Sequence, residues 1–454
     1  MARMGTEIAE QLAIVMTRAV GNGALSGMAR LSGGASMESW AFDWGDPVEQ
    51  SGYVLRRAPS ADYVADRPYD HAAEAALVNA AHRAGVCAPE VVAVLGAGDG
   101  LGSGYVMRRV AGDANPATIL AAPSPTLLTE TAEALAQIHA LPAAQVPAAI
   151  PVMDVAAALA DLKARFADYG GDRPIIALAI KWCEDHLPSP ADPLVLVHGD
   201  FRMGNLLVDN GRLTAVLDWE LAHRGDLHED LAYGCMTVWR FGRPDLPAFG
   251  LGSLEAFFGA YRAAGGGEVD PARFRFWLVY RTLWWAMGCL GMGAAWRSGA
   301  DRSLERVVVA RRTAEQELDL LLLLEEEAPE TERSCPIPPP APSIPLRSGE
   351  PTSAELVTAV REWLASDIKP GVQGRDKFMV AVAMNALGIT ARALERPVDY
   401  ADKSLADALL TGEVTLCEPG LLARLRRTCL DKLAGDMPKY PALAQAREKW
   451  GATE

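Results

Sequence analysis

The stretch Pro193 to Asp209 reads PLVLVHGDFRMGNLLVD, an apolar strand that enters a polar loop and returns to apolar residues. Asp200 is followed five positions later by Asn205, and thirteen more lead to Asp218 in AVLDWE, a second apolar strand ending in a carboxylate. Phosphoryl transfer from ATP needs such groups: a carboxylate that orients the attacking hydroxyl and takes its proton, and oxygen ligands for the Mg2+ that bridges the phosphates. Asp200 suits the first task. Asn205 and Asp218 suit the second, because a hard cation takes carboxylate and amide oxygens and keeps several waters. Singly, these residues would serve equally well in a turn or as a helix cap. It is the three together, at these spacings, that point to catalysis.

The wording HGDFRMGN followed by LDWE resembles the aminoglycoside phosphotransferase and choline kinase group, relatives of the protein kinases, and the resemblance runs over roughly residues 8 to 325. It implies Asp200 as catalytic base, Asn205 and Asp218 as magnesium ligands, and His198 as the anchor of the loop. It also implies a phosphate-covering loop between the first two strands, where LSGGASMES stands; Ser32, Gly33, Gly34 and Ser36 would bring backbone amides and hydroxyls to the phosphates. The third strand of such an enzyme delivers a cation to the phosphates. In YVLRRAP that place holds Arg56, where many relatives carry lysine, with Glu74 on the next helix expected to steady it. The two cations are not interchangeable, since arginine binds phosphate as a planar fork. The stretch GYVMRRVAGD is similar to the family's hinge, with Met107, Arg108 and Arg109 as the adenine contacts, and GDLHEDLAY is similar to its GDPxxDLA motif, with Asp226 and Asp230 bracing the catalytic loop.

The elements that must hold these residues can be read from periodicity. Before Val110 the pattern predicts a helix (Ala9 to Val20), strands (Met37 to Trp44, Gly52 to Arg57), a helix (Tyr69 to Ala84) and two more strands (Val91 to Leu95, Ser103 to Arg108). After it, Leu127 to Ala140, Met153 to Tyr169 and Leu254 to Ala264 space apolar residues as amphipathic helices do. The expected class is α+β: a kinase-like bilobal fold with a small antiparallel sheet in the N-lobe (residues 1–110) and a helical C-lobe (111–325). A proline-rich linker (326–350) then leads to an all-helical accessory domain (351–454), with helices over Thr352 to Ser366, Gln373 to Leu394, Lys403 to Leu410 and Pro419 to Leu433.

Composition narrows the function further. A net charge of −15 argues against nucleic-acid binding, which needs a basic face. Seven scattered cysteines without a CxxC pair suggest neither a disulfide framework nor a zinc site, and a cytoplasmic setting is the simplest expectation. The apolar run Phe276 to Trp296 contains Arg281 and three glycines and is read as a buried core helix rather than a membrane span.

After Asp218 the chain concentrates Arg240, Arg243, Arg262, Arg273, Arg275, Arg281, Arg297 and Arg302 among tryptophans, which suits an anionic, partly apolar small molecule better than a cationic aminoglycoside. The LSGGAS, VLRR and HGDFRMGN wording is similar to the family branch linked to acyl-CoA metabolism, so a hydroxyacyl thioester is the preferred acceptor and an antibiotic the alternative. A nucleotide-binding pseudokinase scaffold is the competing class, with Arg56 as its support. The C-terminal helices show no catalytic cluster, which leaves dimerisation or protein docking as their expected role.

Overall fold

The computed structural model describes residues 2–31, 37–46, 49–58, 64, 67–340, 349–397 and 401–452. Its contacts divide the chain into two compact units, the first comprising residues 1–153, 190–235 and 246–270, the second 154–189, 236–245 and 271–454.

In the first unit five strands form one antiparallel sheet: β1 (Ala24–Arg30), β2 (Glu38–Gly45), β3 (Gln50–Ala58), β4 (Val91–Val94) and β5 (Ser103–Arg108), in the order β1-β2-β3-β5-β4. Alternation sends Phe42, Trp44, Tyr53, Leu55 and Val106 to one side, where they meet Ile8, Leu12, Val15 and Met16 of the helix Ala2–Ala19. Those four residues recur at the three- and four-residue spacing of a helical stripe. The helix His71–Arg83 starts where Asp70 accepts the Ala73 N–H. Strand β1, which the resemblance implied ahead of the LSGGAS loop, is missing from the strands that periodicity predicts for a physical reason. Its sequence ALSGMAR holds no β-branched or aromatic residue, Gly27 sits at φ +62°, and the pairing with β2 is irregular between Ser26 and Ala29.

The rest of this unit is built on two short antiparallel pairs. Strand β6 (Val195–Val197) pairs with β9 (His223–Gly225), and β7 (Leu206–Asp209) pairs with β8 (Arg212–Val216). The helices Leu127–His139, Leu227–Tyr233 and Leu254–Ala263 complete it.

The second unit is helical. The expected core helix is there as Pro271–Ser298, burying Phe276, Trp277, Val279, Tyr280, Leu283 and Met287. Beside it runs Thr313–Leu324, which receives the C-terminal helices through buried polar pairs. Lys432 meets both oxygens of Glu317 at 2.7 Å, Tyr440 donates to Asp319 at 2.6 Å, and Arg426 grips Glu325 at 2.8 and 3.0 Å. The helices Ser353–Trp363, Gly374–Glu395, Lys403–Thr411 and Leu421–Asp436 lie close to their expected positions, and Pro441–Lys449 adds a further one.

Candidate active site

The loop after β6 is held by backbone bonds to a buried acid. Asp230, on the helix Leu227–Tyr233, accepts the N–H of His198 at 2.6 Å and that of Gly199 at 2.9 Å, and it also meets His139 Nε2 at 3.2 Å. Burial works against its charge, but the His139 bond, the nearby imidazoles and the loop amide hold its carboxyl below the usual range. Gly199 allows the turn: its φ is +79°, and a Cβ there would strike the Leu221 carbonyl.

His198 is fully buried, lies 4.7 Å from the Trp219 ring between centroids, and accepts the Asp200 N–H on Nδ1 at 3.2 Å. Burial depresses its pKa, so it is a neutral anchor, as the family resemblance implied.

Asp200 is held by one bond on each oxygen. Arg202 Nε donates to Oδ1 at 2.9 Å, and Asn205 Nδ2 donates to Oδ2 at 2.6 Å. Each oxygen keeps a second lone pair for a further proton or donor. Asn205 Nδ2 also reaches the Asp200 carbonyl at 2.8 Å, so Oδ1 is the atom of its amide chemically suited to a cation. Arg202 escaped the sequence reading, though it stands two residues from Asp200. Its guanidinium folds against Gly204, where a Cβ would collide with it, so the glycine of FRMGN makes room for this contact.

The register of the second hairpin brings Asp218 alongside. Leu206 pairs with Val216, and the Leu217 N–H donates to the Asn205 carbonyl at 2.8 Å, so the two expected metal ligands leave adjacent strands side by side. Asp218 has φ +69°, a left-handed conformation that costs a non-glycine residue free energy and persists where neighbours enforce it. Tyr69, also missed, is such a neighbour: its hydroxyl donates to the Trp219 carbonyl at 2.5 Å and accepts the Ala222 N–H at 3.0 Å.

Arg56 corrects the expected pairing. Its Nη2 donates to Asp218 Oδ1 at 2.7 Å, while Glu74 is engaged by Arg67 and by the Tyr105 hydroxyl at 2.8 Å. Arg67 also reaches Glu220 at 3.1 Å. The buried acid of the helix is thus already neutralised by a nearby arginine, which leaves Arg56 to the carboxylate of the LDWE turn. Burial pushes against ionisation of Asp218, and Arg56 outweighs it, holding the carboxyl below its ordinary value. An ionised carboxylate and an amide oxygen, at the ends of two paired strands, are the kind of pair that would suit a magnesium ion keeping waters and phosphate oxygens as its other ligands.

The remaining expected residues divide. Ser32, Gly33, Gly34 and Ser36 lie outside the described residues. Met107 is buried on β5, and the amides of Arg108 and Arg109 donate to the carbonyls of Glu90 (2.8 Å) and Gly52 (2.9 Å). Their side chains pair with Glu90 and Asp43, at 2.6 and 2.5 Å. The sheet therefore uses these two amides, and the next one, at Val110, makes no bond among the described residues. Several of the arginines after Asp218 find internal partners: Arg281 lies over Trp284 at 4.2 Å, Arg302 over Trp296 at 3.9 Å, and Arg275 bridges to Glu327 at 2.8 Å.

Comparison with known proteins agrees with this geometry. The model of the phosphotransferase enzyme family matches residues 27–277, more than half of the 454-residue chain. Acyl-CoA dehydrogenase family member 10 of Mus musculus is 34% identical over 99 residues, 19% of this chain and 9% of that protein. Family member 11 of Gallus gallus is 39% identical over 90 residues, 19% of this chain and 11% of that protein. The chain thus spans about a tenth of the length of these relatives. The hygromycin-B 4-O-kinase of Escherichia coli is 49% identical over 45 residues, 10% of this chain and 13% of that enzyme. Among solved structures, a candidate aminoglycoside phosphotransferase from Ralstonia eutropha superposes with a TM-score of 0.56 at 20% identity, covering 70% of this chain and 98% of that one. That likeness is one of fold: a kinase-like antiparallel sheet with helices.

Proposed function

The chain belongs to the phosphotransferase enzyme family, and from that premise we propose that it moves the γ-phosphoryl group of ATP, with Mg2+, onto a hydroxyl of a small molecule. The observation that carries this reading is the convergence of Asp200, Asn205 and Asp218 on two neighbouring loops, with Arg56 on the Asp218 carboxylate. Asp200 receives the proton of the acceptor hydroxyl as its oxygen attacks the γ-phosphorus and the bond to the β,γ-bridging oxygen breaks, leaving ADP. Arg202 and Asn205 keep the carboxylate plane fixed during that transfer. Asn205 and Asp218 would hold the Mg2+, whose chemistry is to offset the charge of the phosphates. Arg56 supplies a fork-shaped cation for the phosphate oxygens and, without nucleotide, neutralises Asp218.

For the acceptor we favour a hydroxyacyl thioester. The support is the arginine- and tryptophan-rich stretch 239–302 and the matched segments of the two acyl-CoA dehydrogenase family members. An aminoglycoside is the second reading, favoured by the match to hygromycin-B 4-O-kinase. Incubating the purified chain with ATP, Mg2+ and a panel of hydroxyacyl-CoA esters, sugars and aminoglycosides separates them by mass spectrometry. A phosphoryl gain on a thioester is expected, and a gain on aminoglycosides alone would reverse the preference.

A further inference from the structure

The helices Ser353–Trp363 and Gly374–Glu395 pack against each other as a hairpin that leaves apolar surface in water. Leu356, Val360 and Trp363 recur at four and three residues, the spacing of one helical face, and are 54%, 47% and 52% exposed. No residue of their helix is buried. On the second helix Phe378 is 48% exposed, and the buried positions are confined to Gly388, Ile389 and Ala391 near its end. Gly374–Glu395 is also the one described helix long and apolar enough, by length and composition, to cross a bilayer, and only 17% of its most apolar stretch is buried. Large apolar side chains gathered in water on two paired helices mark a contact with something else.

Charge and size say what covers it. Residues 353–395 carry five carboxylates and five cations, a neutral balance inside a chain of net charge −15. An anionic lipid surface attracts polybasic segments, which this is not. A segment of balanced charge does not repel a second copy of itself as the rest of so acidic a chain would. The 22-residue second helix is about 33 Å long, so the two helices side by side offer roughly 500–600 Å2, and two such faces together approach the ~1,200 Å2 at which specific interfaces begin. Exposed Asn385 stands seven residues after Phe378, on the same helical face. A lone asparagine in an apolar helical seam sets register when it meets its own copy.

We propose that this hairpin is a homodimer interface, packing on its equivalent in a second copy of the chain as a two-fold four-helix bundle. The inference stands independently of the phosphotransferase reading. Sedimentation of the full chain tests it: the wild type is expected at twice its 48.5 kDa mass, and the double variant Val360→Glu, Phe378→Glu at the single mass with an unchanged far-UV spectrum. Hydrogen exchange on the unaltered chain gives a second readout, with protection over residues 353–395 rising with concentration. A wild type that stays monomeric up to roughly 100 µM, where a dimer with a Kd of about 1 µM would be almost fully formed, would overturn the proposal. So would a double variant that still dimerises, exchange that ignores concentration, or a monomer that sediments with phosphatidylcholine and phosphatidylserine vesicles.

Discussion

Asp200, Asn205 and Asp218 were legible because each lies on a short loop between apolar strands, and the hairpin that joins two of them is local in the chain. The partner of Arg56 was not legible. Asp218 lies 162 residues away, whereas Glu74, much nearer in the chain, is held by Arg67. Arg56 restrains Asp218, and in the proposed reaction it also meets the phosphates, so its variants should separate the two tasks. Arg56→Ala removes a charge-assisted contact of about 1.5–3 kcal/mol and is expected to raise the KM for ATP about 10- to 100-fold. Arg56→Lys keeps the charge without the fork and should fall between the two. Steady-state kinetics over a range of ATP concentrations checks both, and an unchanged KM in the alanine variant would remove Arg56 from the nucleotide site.

The helix Leu227–Tyr233 matters to the site mainly through Asp230. Its GDLHEDLAY motif announced two acids that brace the loop; Asp230 does so, and Asp226 caps its own helix through the His228 N–H at 3.0 Å. Sequence spacing could not tell the two roles apart, because both aspartates start or line one short helix. Asp230→Ala leaves two buried amides and His139 without their acceptor, so unfolding should require about 3–5 kcal/mol less free energy, as read from urea melts. The helix Thr313–Leu324 holds the opposite electrostatic case. Burial lifts the Asp319 carboxyl up to about 7, even against the Tyr440 hydroxyl bond. The folded chain then binds this proton more tightly than the unfolded chain, so stability falls as pH rises from about 4 toward 7 and levels off above it. The drop is no more than roughly 4 kcal/mol. Melting temperatures of Asp319→Asn across that range should show a flatter profile, with the variant the more stable at pH 8. A variant as pH-dependent as the wild type would assign the slope to another group.

At the scale of the whole chain, periodicity revealed most helices and all but one strand of the main sheet. It did not reveal that the C-terminal helices share a compact unit with Thr313–Leu324, because that docking rests on Lys432, Tyr440 and Arg426 meeting acids more than a hundred residues earlier. Charged residues on a helix read as surface until their partners are known. The apolar face of Gly374–Glu395 was visible as a helical pattern, yet nothing in the pattern said that it would stay uncovered. The proposed phosphoryl transfer turns on Asp200 as its base, and one measurement addresses that role directly. Transfer of the γ-phosphoryl group to an acceptor, followed by mass spectrometry, is compared between the wild type and Asp200→Asn, with ATP binding of both measured by calorimetry. Loss of the general base should lower transfer by about 10²- to 10⁴-fold while ATP affinity stays within about threefold, the scale of a weak change in a contact outside the nucleotide. Equal transfer rates in the two proteins would contradict the account.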